Sequence, residues 1–160
     1  MQHPGALRRS IVLAVLGHFL AQIAYFGVAA ALSNIVTRHV LGYLVTSATV
    51  HVALGAFLLF RAADFVTVPG GRRLERINAA NVLTMFRISA VPTILFFIFL
   101  SDRYETVGWL IALTSFAFIT DFVDGKMSRA RGEITRIGQY LDSSSDYTIL
   151  AAVSIAFTHF

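Results

Sequence analysis

The chain has 160 residues, of which 56% are hydrophobic and 14% charged, and its formal net charge is +4. Its mean hydropathy of +0.70 is too high for a soluble domain of this size. Because the apolar residues stand in long blocks, the composition predicts an all-α polytopic membrane protein. The absence of cysteine excludes disulfides and thiolate–zinc sites. The 13 Lys and Arg residues form short clusters between the apolar blocks, a pattern of membrane topology that does not indicate nucleic acid.

The first two apolar blocks predict an N-terminal helical hairpin over residues 1–60. They are Ile11–Leu32 and Val40–Phe60, joined by a short connection. The first block has 22 residues and is longer than a usual signal-peptide core, so we favour a membrane span over a cleaved signal. His18 and Gln22 share one face of this span, and we expect them to make interhelical hydrogen bonds rather than to form a ligand pair.

The polar segment 61–81 separates the hairpin from the rest of the chain. It carries four arginines and a Pro-Gly-Gly turn at residues 69–71. We interpret it as a basic cytoplasmic linker. Its second half, from Gly71 onward, is predicted to form an interfacial helix that runs into the next span.

Three further apolar blocks predict a helical bundle over residues 82–160. The third span is Val82–Leu100, and the fourth helix covers Tyr104–Thr120. The last span begins near Gly138, after a polar turn at residues 130–137. Together with the hairpin, this gives about five transmembrane helices. Arg87 lies near the cytoplasmic end of the third span, where it either snorkels to the headgroups or faces a site and holds a phosphate.

Four of the six aspartates lie within a single stretch of 26 residues. Asp121 and Asp124 are three residues apart, and Gly138, Asp142 and Asp146 follow one another at intervals of four, so each set shares one face of a helix. If the two helices meet at the turn, all four carboxylates converge and repel one another. Divalent cations resolve this repulsion, and an all-oxygen set suits magnesium or manganese. The pattern indicates a two-metal site for phosphoryl transfer.

The same stretch resembles the signature of the CDP-alcohol phosphatidyltransferase family, D-x2-D-G-x2-A-R-x8-9-G-x3-D-x3-D. The matching residues are Asp121, Asp124, Gly125, Arg129, Gly138, Asp142 and Asp146. Ser128 stands where the family has alanine. A second run of the family, Asn-x-Leu-Thr-x-x-Arg, is matched ahead of the signature by Asn81, Leu83, Thr84 and Arg87.

The resemblance implies an enzyme that displaces CMP from a CDP-linked lipid, usually CDP-diacylglycerol, with the hydroxyl of a small alcohol. It assigns two Mg²⁺ or Mn²⁺ ions to Asp121, Asp124, Asp142 and Asp146, with Asp146 also the general base. It assigns substrate binding to Gly125, Ser128, Arg129, Gly138 and Arg87. It further implies the lipid bilayer as a partner and a homodimer as a common state.

The acceptor alcohol is indicated less directly. Thr135, three residues before Gly138, is similar to the T-x-x-G run of phosphatidylglycerophosphate synthase-like members, which favours glycerol 3-phosphate. The proline that those members often carry after the third aspartate is absent, so inositol phosphate, serine and other polyols stay open.

The resemblance covers roughly Arg72–Phe160, the first half of the usual six-span family core. We therefore expect either an apparently truncated catalytic bundle or a bundle whose remaining pocket wall comes from elsewhere. The alternative is a non-catalytic relative or a membrane cation-pathway protein, because carboxylates inside a membrane also face inward and pair.

The basic residues predict the orientation of the chain. Eleven of the 13 fall on the side of the signature, and only Arg38 and Arg103 lie in the opposite loops. This bias predicts a multi-pass membrane protein whose active site faces the cytoplasm.

Overall fold

The computed structural model describes residues 4–68 and 70–159. Within them the chain forms five α-helices, which confirms the all-α prediction. In chain order they are α1 Pro4–Leu32, α2 Thr37–Phe60, α3 Ala79–Leu100, α4 Val107–Arg131 and α5 Arg136–His159.

The first four helices are long and apolar enough to cross a membrane. Many of their large apolar side chains face outward, including Val45, which is 68% exposed, and Val52, which is 72% exposed. Such a surface is stable next to lipid, and the chain is an integral membrane protein. Helix α5 is not among these four described spans; its first half carries Asp142 and Asp146, and its role as a fifth span stays a prediction.

Helix α3 is the central element of the fold. It packs against α1 and α2 on one side and against α4 and α5 on the other. Phe97 of α3 stacks with Phe26 of α1 in one apolar cluster, while Ile98 packs with residues of α4 and α5 in another. The hairpin is therefore joined to the C-terminal helices through α3.

A buried polar contact joins the hairpin to α3. The hydroxyl of Thr93 donates a hydrogen bond to Gln22 Oε1 at 2.7 Å, and the Tyr43 hydroxyl lies 3.0 Å from Thr93 Oγ1. This bond confirms the interhelical role predicted for Gln22. The ring of His18 contacts the Ala14 carbonyl of its own helix at 2.7 Å.

The interfacial helix predicted from Gly71 onward is wrong for the described part of the linker. Gly70 and Gly71 have φ angles of 120° and 64°, which reverse the chain and are incompatible with a right-handed helix. The backbone ahead of this turn is extended, and Val68 donates to the Ile134 carbonyl at 2.7 Å. The linker therefore packs on the turn before α5. Helix α3 begins only at Ala79, after its N-cap residue Asn78.

The turn between α4 and α5 is shorter than predicted. Helix α4 continues to Arg131 and ends at Gly132, whose φ of 60° lies in the left-handed region that glycine adopts readily. Helix α5 begins after Thr135, whose Oγ1 accepts the N–H of Gly138 at 3.0 Å. Consequently Asp121 and Asp124 lie inside a helix rather than at its end.

Candidate active site

The four aspartates of the signature converge on the guanidinium of Arg87. Nη1 lies 2.5 Å from Asp121 Oδ1 and 3.1 Å from Asp146 Oδ1. Nη2 lies 2.7 Å from Asp142 Oδ1 and 3.3 Å from Asp124 Oδ2. Helices α4 and α5 thus bring their acidic faces together, as the spacing predicted, and α3 places a cation between them.

Arg87 is 1% exposed, so it does not snorkel to the membrane surface. A buried guanidinium is stable only where carboxylates compensate its charge, and here four of them do. Its Nε has no hydrogen-bond partner among the described residues. One cation against four carboxylates leaves an excess of negative charge, which favours the binding of further cations.

The aspartates differ in how open they are. Asp124 is 5% exposed and accepts a hydrogen bond from Thr84 Oγ1 at 2.7 Å. Asp121, Asp142 and Asp146 are exposed, and one ligand oxygen from each lies within 4.8 Å of the others. Three converging carboxylates of this kind fit a divalent metal ion of the hard class that oxygen ligands prefer.

A polar cavity of about 200 Å³ opens beside the carboxylates. Gly125, Ser128 and Arg129 of α4 line it together with Gly138 of α5. These are the residues predicted to bind substrate, apart from Arg87, which lies among the carboxylates. Helix α3 closes the cavity with Ala80, Asn81 and Thr84.

A side chain would collide at Gly138, and at Gly125 it would be in tight contact with Arg129. A Cβ at Gly138 would lie 2.6 Å from Asn81 Oδ1 and 2.8 Å from Thr135 Oγ1, and a Cβ at Gly125 would lie 3.3 Å from Arg129 Nη1. Glycine therefore keeps the wall of the cavity close to these polar groups. The hydroxyl of Ser128, at the position where the family has alanine, donates to the Gly125 carbonyl at 3.2 Å and is engaged by its own helix.

The structure adds residues to which the sequence analysis gave no role in the site. Asn81 and Thr84 lie at three-residue intervals ahead of Arg87, which puts all three side chains on one face of α3. Thr135 was considered only as a sign of the acceptor, yet its hydroxyl donates to Asn81 Oδ1 at 3.1 Å. The helical spacing of the run from Asn81 to Arg87 is the signal that identifies this face.

An apolar groove of about 440 Å³ lies between α3, α4 and α5. Its lining includes Phe118, three residues before Asp121, and Ile149, three residues after Asp146. The groove therefore begins one helical turn from the carboxylates and continues into the apolar part of the bundle.

A membrane helix bundle that holds converging carboxylates between a polar cavity and an apolar groove is typical of a protein that handles a charged lipid. The comparison with known families agrees. Residues 77–160, just over half of the chain, match the CDP-alcohol phosphatidyltransferase family, and the chain belongs to this family. No solved structure matches it.

Relatives of known name are similar in sequence to about half of the chain. The chain is 26% identical over 102 residues to a cardiolipin synthase (CMP-forming) of Streptomyces coelicolor. This match covers 56% of the chain and 47% of that protein. It is 32% identical over 80 residues to a probable phosphatidylglycerophosphate synthase of Mycobacterium tuberculosis, a match that covers 49% of the chain and 38% of that protein. It is 34% identical over 79 residues to a CDP-diacylglycerol–glycerol-3-phosphate 3-phosphatidyltransferase of Rickettsia bellii, a match that covers 49% of the chain and 42% of that protein. The matches span less than half the length of these relatives.

Proposed function

We propose that this protein transfers a phosphatidyl group from CDP-diacylglycerol to the hydroxyl of a small alcohol and releases CMP. The observation that carries the proposal is the convergence of Asp121, Asp124, Asp142 and Asp146 on Arg87, between a polar cavity and an apolar groove. Such a site meets the needs of a lipid whose headgroup is a nucleoside diphosphate. The three relatives named above support the same class of reaction by their names.

We assign two divalent ions, Mg²⁺ or Mn²⁺, to the four aspartates; when bound, these ions would supply charge neutralisation for the pyrophosphate of the donor. Among the basic side chains near the site, Arg129 lines the cavity and is placed to donate to a phosphate oxygen. Arg87 is the second candidate for such a contact, because its guanidinium lies among the carboxylates at the same place.

Asp146 is the proposed general base. It pairs with Arg87 through Oδ1, which leaves Oδ2 to accept the proton of the acceptor hydroxyl. The hydroxyl oxygen then forms a bond to the phosphorus of the phosphatidyl group, and the bond from that phosphorus to the oxygen of CMP breaks. The proton stays on Asp146 until solvent removes it.

The apolar groove supports a lipid as the donor. It begins beside Asp121 and Asp146 and is lined by apolar side chains of three helices, among them Ile98 and Phe157. An acyl chain in this groove would keep the headgroup at the carboxylates while the chain remains in the membrane. The bias of basic residues toward this end of the bundle favours a cytoplasmic active site.

Glycerol 3-phosphate is the acceptor that the observations favour. Two of the relatives named above carry phosphatidylglycerophosphate synthase or glycerol-3-phosphate phosphatidyltransferase in their names. Thr135, whose position in the T-x-x-G run favoured this acceptor in the sequence, lies in the wall of the polar cavity.

The decisive experiment is CMP release by the purified protein in detergent with CDP-diacylglycerol and Mg²⁺. The acceptors are glycerol 3-phosphate, inositol phosphate, inositol and serine. We expect turnover with glycerol 3-phosphate and a loss of at least about 100-fold in Asp146→Asn, because the base is removed while the size of the side chain is kept.

Glu105→Gln is the matched control, since it makes the same chemical change in the exposed connection between α3 and α4, at the far end of α3. It should retain full activity. No CMP release with any acceptor, from protein that is folded and carries the four aspartates, would contradict the proposal and favour a non-catalytic relative.

A further inference from the structure

A cavity of about 430 Å³ lies between the end of α2 and the first half of α5. It is separate from the candidate active site, because none of its lining residues lines the polar cavity or the apolar groove. Its lining includes Phe57, Phe60, Arg61, Tyr140, Ser143 and Tyr147. Aromatic rings, a hydroxyl and one cation therefore meet at a place to which the proposed reaction gives no role.

The cavity opens to the outside of the bundle. Tyr140, Ser143 and Tyr147 follow one another at intervals of three and four, so they share a face of α5 that differs from the face of Asp142 and Asp146. Tyr147 is 74% exposed, and Phe60, on the opposite wall, is 84% exposed. An apolar opening on the outer surface of a membrane helix bundle faces lipid.

The residues of the cavity lie at the level of the lipid headgroups. Arg61 directly follows Phe60, the last residue of the apolar helix α2, and the polar linker begins with it. Tyrosine rings with a polar hydroxyl favour the same level of a membrane. The cavity thus has a charged rim at Arg61 and an apolar wall at Phe57, one helical turn deeper in the membrane.

The guanidinium of Arg61 is held in place by two contacts. Its Cζ lies 4.9 Å from the centroid of the Tyr140 ring, and its Nε lies 2.7 Å from Asp64 Oδ2. The other oxygen of Asp64 lies 3.6 Å from Arg136 Nη1, so two cations share one carboxylate. A guanidinium has five N–H donors, more than one carboxylate takes up, and the excess positive charge favours an anion at the rim.

We propose that this cavity binds an acidic phospholipid, with its phosphate at Arg61 and an acyl chain along Phe57. Phosphatidylcholine carries a cation of its own, which would lie near Arg61 and Arg136. Phosphatidylglycerol brings only negative charge, so the local charge selects it over phosphatidylcholine. The bound lipid would connect the end of α2 to the helix that carries Asp142 and Asp146. This inference does not depend on the proposed reaction.

The test uses the absence of cysteine from the chain. Ser143→Cys places a single thiol in the lining of the cavity, and a water-soluble maleimide reports whether the purified protein in detergent leaves it open. Phosphatidylglycerol should slow the labelling at least about fivefold more than phosphatidylcholine with the same acyl chains. Ala79→Cys is the control, because Ala79 is exposed at the start of α3 and outside the cavity. The two lipids should affect its labelling equally.

Arg61→Gln, combined with Ser143→Cys, tests the cation. The change removes the charge at the rim, so the difference between the two lipids should fall below about twofold. Arg76→Gln is the matched control, because it removes the same charge from an exposed residue of the linker that does not line the cavity. It should leave the difference between the lipids unchanged.

The other occupants of the cavity give different results. Equal protection by the two lipids, or an unchanged preference in folded Arg61→Gln, would overturn the proposal. Protection by inorganic phosphate alone would indicate a soluble anion, and protection that rises with protein concentration without added lipid would indicate a second copy of the chain; either result would overturn the lipid as occupant. If Arg61→Gln does not fold, the comparison of the two lipids at Ser143→Cys and Ala79→Cys decides.

Discussion

Arg87 holds together four carboxylates that would otherwise repel one another. Its two terminal nitrogens lie 2.5–3.3 Å from oxygens of all four aspartates. Asp121, Asp142 and Asp146 are also the residues that could hold a metal ion. An ion that binds them must share these carboxylates with the guanidinium or displace it, so Arg87 and the ion compete for the same ligands.

This competition predicts the behaviour of Arg87→Met. Without metal, the variant should be less stable by about 2–3 kcal/mol, because the carboxylates lose their counter-charge while three of them remain partly hydrated. With Mn²⁺, it should gain more stability than the unaltered protein, because the ion no longer competes with the guanidinium. Thermal unfolding in detergent, with EDTA and with Mn²⁺, measures both effects.

Arg87→Lys is the control for charge. It keeps one positive charge but not the planar fork that reaches several carboxylates, so its metal response should fall between those of the other two proteins. An equal Mn²⁺-induced shift in the unaltered protein and in Arg87→Met would show that the ion and Arg87 do not share ligands.

The sequence predicted the carboxylates of the site better than their surroundings. The convergence of Asp142 and Asp146 follows from helical spacing, which is a local property of the chain. The burial of Arg87 could not be predicted in the same way, because its partners lie 34 to 59 residues later in the chain. The hydrogen bond from Thr135 to Asn81 likewise joins residues that are 54 positions apart in the chain.

At the scale of the helices, α3 connects the N-terminal hairpin to the site. On the side of the hairpin, this helix carries Thr93, which is bonded to Gln22 and lies next to Tyr43. On the side of the aspartates, it carries Arg87. Any loss of the hairpin contact is therefore expected to loosen the helix that positions Arg87.

Thr93→Val tests this connection. The change keeps the shape of the side chain but leaves Gln22 Oε1 and the Tyr43 hydroxyl without their buried partner. We expect a loss of about 1–2 kcal/mol in the free energy of unfolding, because hydrogen bonds between membrane helices are modest and unpaired polar groups are costly. Reversible unfolding in mixed micelles gives the value.

Thr49→Val serves as the comparison, because the Thr49 hydroxyl is exposed and bonds the Val45 carbonyl of its own helix at 2.9 Å. It should change stability by less than about 0.5 kcal/mol. Equal effects of the two substitutions would mean that the contact at Thr93 does not hold the hairpin to α3.

The helices themselves were predictable because each apolar block is long enough to span a membrane. The residues at which the helices end were less predictable. Helix α4 passes through the signature and ends at Arg131, because Gly132 adopts the left-handed conformation there. The linker does not become a helix because Val68 bonds the backbone of Ile134, a residue far along the chain. Both outcomes depend on tertiary contacts and on single glycines rather than on composition.

At the scale of the whole molecule, the two ends of the bundle differ in charge and in content. The linker, the polar cavity and the start of α3 lie at one end, with eleven of the 13 basic residues on that side. The connections between α1 and α2 and between α3 and α4 lie at the other end, where the Ser33 hydroxyl donates to the Glu105 carbonyl at 3.1 Å. The excess of positive charge predicts that the end with the cavity stays in the cytoplasm.

The absence of cysteine makes this orientation directly measurable. Glu75 lies before α3 and Glu105 after it; both are exposed, and the 22 residues of α3 separate the two ends by about 33 Å. Glu75→Cys and Glu105→Cys leave every basic residue in place, so neither alters the charge bias under test. A membrane-impermeant maleimide should label Glu105→Cys in intact cells and Glu75→Cys only after permeabilisation. The reverse pattern would place the carboxylates outside the cytoplasm, away from the compartment where nucleotide donors are made, and would contradict the proposed reaction as well as the orientation.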